Sequence, residues 1–164
     1  MHIKDLLDHL AAYDQWANAR LAERLAREPD TVLDAPVKSS FPSLRATLMH
    51  MRDAECVWRQ RSMGERPTWP AEASTEVGTF MRYVDLMRAH VLALSENDLM
   101  DTITYQDLRG NTHAQPRWQA LLHCFNHSTY HRGQLVTMMR MLELGEIPQL
   151  DLVVYQRLAA KGNG

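Results

Sequence analysis

The sequence predicts an all-α fold: a four-helix bundle with a long third connection carrying a small β-hairpin, and a short C-terminal helix. Three observations predict it. Apolar residues recur at three- and four-residue steps over four long stretches. Breaks of about ten to twenty residues rich in proline and glycine separate those stretches. One break contains the β-leaning run Thr102-Ile-Thr-Tyr-Gln-Asp-Leu108 followed by Gly110-Asn111, a pair suited to a tight hairpin turn.

The first stretch, residues 3–27, places Leu6, Leu7, Leu10, Tyr13, Ala17, Leu21 and Leu25 on one stripe. Pro29 ends it, because proline disfavours helix in the residue before it. A loop with Pro36 and Pro42 follows, and Ser40 or Ser43 can cap a second helix running to about residue 63, with Leu44, Leu48, Met51 and Trp58 inward. Gly64, Pro67 and Pro70 mark the next break. A third helix is expected over residues 75–96, with Phe80, Val84, Met87, Val91 and Leu94 buried. Residues 97–116 read as non-helical. Pro116 suits the first turn of a long last helix over residues 117–144, stopped by Gly145. Asp151 can cap a tail helix through residue 158. Gly133, inside the last helix, suggests close approach of a neighbouring helix.

Composition bounds the function. A chain of 164 residues with 45% hydrophobic and 23% charged residues supports one core, so residues 1–164 are expected to form a single domain. The net charge of −2 argues against a nucleic-acid partner, since phosphate binding needs concentrated positive charge. Cys56 and Cys124 are too few for a disulfide scaffold. The start of the chain lacks an apolar signal core and no apolar run reaches membrane-spanning length, so no membrane partner and a cytoplasmic location are expected.

The eight histidines carry the chemistry. His123, His127 and His131 are spaced by four along the last helix, so they stack on one stripe. At roughly 100° per residue, His127 and His131 fall at the edge of the buried face and His123 further toward solvent. Two imidazoles one turn apart can converge on one divalent cation, although on spacing alone such a pair is more often structural. Ser128 stands where a zinc protease needs a glutamate, and Cys124 and Ser128 stand where a di-iron bundle needs glutamates, so neither pattern fits. A third ligand must come from another helix: His50 is the best placed, His9 is an alternative, and His2, His90 and His113 read as terminal or surface residues. Cys124 reads as a small core residue, Arg132 as an exposed helix arginine, and Asp53 and Gln134 as candidates to orient the imidazoles, each one turn or so beyond a histidine.

Several stretches together resemble the DinB-like, or damage-inducible, metal-binding four-helix family. They are Tyr13-Asp-Gln-Trp16-Ala-Asn18 with Leu21; His50 with Asp53, Glu55 and Trp58; Asn126-His127-Ser-Thr-Tyr-His131-Arg132-Gly133-Gln134; and Pro148, Asp151 and Tyr155. The resemblance implies a three-histidine site on His50, His127 and His131 holding nickel or zinc, and a homodimer. It also implies kinship with bacterial thiol-dependent S-transferases. Three uncharged ligands leave a divalent ion its full charge and an open position, as catalytic sites require. The expected function is therefore a metal-dependent transferase activating a small thiol toward an electrophile. A non-catalytic metal-binding stress protein is the alternative, and a metal-dependent hydrolase a weaker one, because no general base accompanies the triad.

Overall fold

A computed structural model describes residues 2–107 and 109–162. Its elements are α1 (Ile3–Leu25), α2 (Asp30–Leu33), α3 (Leu44–Ser62), α4 (Thr79–Ala93), α5 (Glu96–Met100), β1 (Thr102–Gln106), β2 (Thr112–Pro116), α6 (Arg117–Met141) and α7 (Leu152–Ala160). The four long helices α1, α3, α4 and α6 form the bundle. α1 packs against α4 and α6, and α3 packs against the same two, so α1 and α3 stand at opposite corners. Strands β1 and β2 pair antiparallel, with Thr102 opposite Pro116 and Gln106 opposite Thr112. The hairpin rests against α3 and α6. No helix among the described residues is long and apolar enough to cross a membrane.

The expected helices are present with shifted ends. Ser43, rather than Ser40, caps α3, its hydroxyl accepting from the Ala46 amide at 3.1 Å. The expected third helix divides into α4 and α5, so residues 97–100, read as non-helical, are helical. The cause is a capping box: Ser95 accepts from the Asp98 amide while the Asp98 carboxylate accepts from the Ser95 amide, restarting a helix after the extended Leu94. Two features lie outside the sequence expectations. One is α2; the other is Glu96, whose carboxylate accepts from the amides of Ile3 and Lys4 and so caps α1 from outside.

The hairpin does not turn on Gly110-Asn111 alone. Residues 107–111 join the strands, and Asp107 accepts from the amides of Arg109 and Asn111 and from the Asn111 side chain. Gly145 does not stop α6 either. The helix ends at Met141, and Glu143 takes the left-handed conformation at φ 56°. The amides of Glu143 and Leu144 then reach back to the carbonyls of Arg140 and Met139, at 3.0 and 2.9 Å. This is a Schellman end with glutamate where glycine is usual. Among the described residues, Gly133 meets no neighbouring helix. Space for a Cβ is open there, beside a groove of about 400 Å³ bordered by Val136, Arg140 and Leu150. At α7, Asp151 precedes the helix but its side chain makes no capping bond.

The interior is apolar at both ends and polar between them. One cluster gathers Leu21, Leu25, Leu44, Leu48, Phe80, Leu135 and Met139; the other gathers Leu7, Ala11, Met87, Val91, Leu121 and Phe125. Between them along the chain lie buried Asp14 and Asn18 on α1, Asp53 and Glu55 on α3, and Ser128, His131 and Arg132 on α6.

Two measurements check this account. Replacing Glu143 with glycine removes the left-handed penalty of a side-chain-bearing residue and should raise stability by about 1 kcal/mol in chemical denaturation. The second concerns His90, which is half-buried, with Nε2 2.8 Å from the Ser62 hydroxyl. Burial, then the charges of Arg59 and Arg117, lower its pKa from 6.5 to about 4. The ring is neutral in the fold and protonates more readily in the unfolded chain, so its contribution is complete above pH 6.5 and is lost as pH falls toward 4. His90→Gln should flatten the dependence of the unfolding midpoint on pH across that window.

Candidate metal centre

Helices α3 and α6 bring His50, His127 and His131 together, with one donor atom from each lying within 4.8 Å of the others. Nε2 of His127 is 3.0 Å from Nε2 of His50 and 3.0 Å from Nε2 of His131. His131 is buried, while His50 and His127 keep part of their surface open. The other histidines are elsewhere. His9 meets Tyr155 at a tilt, His90 bonds Ser62, exposed His113 contacts Asp107, and His123 packs edge-on against Trp58 at the solvent side of the stripe.

Hydrogen bonding alone does not satisfy this arrangement. A ring nitrogen carries either one proton or one lone pair, yet Nε2 of His127 has two ring nitrogens at 3.0 Å. The Gln134 amide nitrogen donates to Ser40, leaving its oxygen to accept from Nδ1 of His131 at 2.7 Å. Nε2 of His131 is then a bare lone pair aimed at its neighbours. Three such donors fit a divalent ion, since nitrogens bound about 2.0–2.1 Å from a common centre stand roughly 3 Å apart. Burial first, then the neighbouring rings, lowers the pKa of His50 to about 4 and of His127 to about 3; burial also lowers that of His131. All three rings are therefore neutral, ligand-competent bases at neutral pH.

Aromatic side chains enclose the triad. Phe41 stacks on His50 at 4.3 Å between ring centres, Trp69 meets His50 edge-on at 5.7 Å, and Tyr130 meets His131 edge-on at 5.1 Å. Trp69 and Tyr130 are 49% and 62% exposed, so they form the mouth of the site. The loop bearing Trp69 is tied down from α3. Buried Arg52 donates to the Glu72 and Ser74 carbonyls and pairs with Asp53, which accepts from the Ala71 amide at 3.1 Å. Of the two candidate orienting residues, Gln134 holds a ligand ring directly, whereas Asp53 acts on His50 only through its charge.

Behind the triad lies the largest departure from expectation. Arg132 is not an exposed arginine: it is 2% exposed and paired with Asp14, also 2% exposed. It donates further to Asn18 and Ser128, each at 3.0 Å, and to Thr129 at 2.7 Å. Cys124 is a buried core residue, as expected, with its thiol 3.6 Å from Glu55 rather than among the histidines. A signal for this network was present. On α1 the buried positions 7, 11, 14, 18, 21 and 25 alternate steps of four and three, and the stripe runs through polar Asp14 and Asn18 without a break. Arg132→Met would leave Asp14 buried without its counter-charge and should cost about 3–5 kcal/mol, read as a lowered denaturation midpoint.

Comparison with known proteins agrees with this fold. The sequence pattern of the DinB family matches residues 1–162. The chain is 23% identical over 157 residues to Protein DinB of Bacillus subtilis (strain 168), covering 89% of this chain and 91% of that one. A crystal structure of a DinB-like protein from Bacillus cereus ATCC 10987 superposes with a TM-score of 0.64 at 19% identity, covering 84% of this chain and 91% of the other.

Proposed function

The chain belongs to the DinB family, and from this premise we propose that it binds a divalent transition metal, nickel or zinc, through His50, His127 and His131 and transfers a small thiol to an electrophile. The observation that carries this reading is the convergence of three neutral ring nitrogens, with one nitrogen at 3.0 Å from both others. An ion bound there would acidify a thiol placed beside it, supplying a nucleophile at neutral pH without a protein base.

The chain's own residues fit that division of labour. The three imidazoles contribute donors and no charge. Gln134 fixes the tautomer and plane of His131. Phe41 and Trp69 pack against the His50 ring and hold it in place, while the exposed faces of Trp69 and Tyr130 offer an apolar rest for an electrophile. A hydrolase is less well supported, since the carboxylates nearest His50 in sequence are engaged elsewhere: Asp53 with Arg52 and Ala71, Glu55 beside Cys124. The partial exposure of His50 and His127 favours turnover over a closed structural site. A homodimer and a cytoplasmic location belong to the same proposal.

Protein purified without a nickel column should carry about one equivalent of a transition metal by mass spectrometry, and His127→Ala should carry none. Gln134→Ala should weaken zinc binding by about tenfold. Loaded with zinc or nickel and offered low-molecular-weight thiols and an aromatic electrophile, the parent should turn over and His127→Ala should not. Trp69→Ala should raise KM for that electrophile by about threefold or more with metal content unchanged. Bound metal without turnover would leave a metal-binding protein of no enzymatic activity, and turnover surviving in His127→Ala would sink the proposal.

A further inference from the structure

Glu55 stands 1% exposed in the polar layer at the centre of the bundle, and its surroundings do not suit a carboxylate. Around it are Asp14 from α1 and Cys124 and Arg132 from α6. Among the described residues its Oε1 has no hydrogen-bond partner, and its Oε2 receives only the weak thiol donor of Cys124 at 3.6 Å. Arg132 is the cation beside it, and its donors go to Asp14, Asn18, Ser128 and Thr129. Asp14 is fully engaged as an anion: Oδ1 accepts from Arg132 and Oδ2 from Asn18 at 2.8 Å. Two ionised carboxylates beside one guanidinium would leave a net negative charge inside the bundle, which is far more costly than protonating one of them.

We propose that Glu55 is an un-ionised carboxylic acid in the native protein, its proton donated to Asp14, and that this shared proton clamps α3 to α1 across the diagonal of the bundle. The assignment follows from the donors. Asp14 already has partners for both oxygens, whereas Glu55 has an oxygen with none, so the proton resides on Glu55. The link joins helices at opposite corners of the bundle. With the Asp14–Arg132 pair it closes a chain running α3–α1–α6, and α3 and α6 are the helices that bear the three histidines. Burial, then the charge of Asp14, pushes the Glu55 pKa well above its ordinary 4.5, in the same direction as the geometry.

The experiment is independent of any metal or activity. Infrared difference spectra of the metal-free protein at neutral pH should contain the carbonyl stretch of an un-ionised carboxylic acid, displaced on transfer to heavy water and absent from Glu55→Gln. Absence of that band from the parent overturns the proposal whether or not the variant folds. Stability supplies the second readout. A carboxyl with a raised native pKa loses its contribution as pH climbs above its unfolded value of 4.5. Glutamine donates the same hydrogen bond and does not titrate. Glu55→Gln should therefore gain on the parent as pH rises above that value, by up to about tenfold in folding equilibrium constant per pH unit until the native acid ionises. A difference between variant and parent that does not grow as pH rises above 4.5 would show Glu55 to be ionised in the native protein, and the clamp would be wrong.

Discussion

The ion pair of Arg132 with Asp14 dictates how α6 is turned, and much else follows from that rotation. A guanidinium inside a helical bundle must meet a carboxylate with good geometry or be expelled, and Asp14 offers one from a fixed position on α1. Consecutive residues of a helix point about 100° apart. With Arg132 aimed at α1, His131 is swung toward α3, and His127 follows it one turn back. The same rotation that buries the charge presents the imidazoles to His50. The polar layer and the histidine cluster are two sides of one helix, set by a single angular choice.

The division of the core serves the same end. Leucine, phenylalanine and methionine fill both ends of the bundle, where side-chain volumes interchange with modest loss. The middle layer admits few alternative pairings, because each buried donor there must find its acceptor. The bonds from Arg132 to Asp14 and Asn18 tie α6 to one level of α1. Arg52 and Asp53 extend this specification outward, holding the loop that places Trp69 against His50.

Periodicity exposed the four long helices because their inward residues are mainly apolar, and the four-residue spacing of His127 and His131 shows directly that they share a stripe. His50 is harder: it lies on a different helix, and spacing places it at the margin of a core without saying which helix it faces. Its place at that margin made it the best placed of the candidates, and the family resemblance points to the same residue. Arg132 was misjudged because a charged residue on a long helix is ordinarily solvated, and its true position depends on Asp14 more than a hundred positions earlier. The break between α4 and α5 and the glutamate end of α6 turn on local capping geometry, to which apolar period is blind.

The centre is assembled from parts 77 positions apart, His50 on α3 and His127 on α6. A nascent or truncated chain ending before α6 lacks two of the three rings, and an isolated α6 possesses only a pair on one flexible surface. The full constellation exists only when distant segments have docked with the correct rotation, so it acts as a checkpoint on tertiary structure. Any chemistry built on the three rings would be withheld from every half-made form of the molecule.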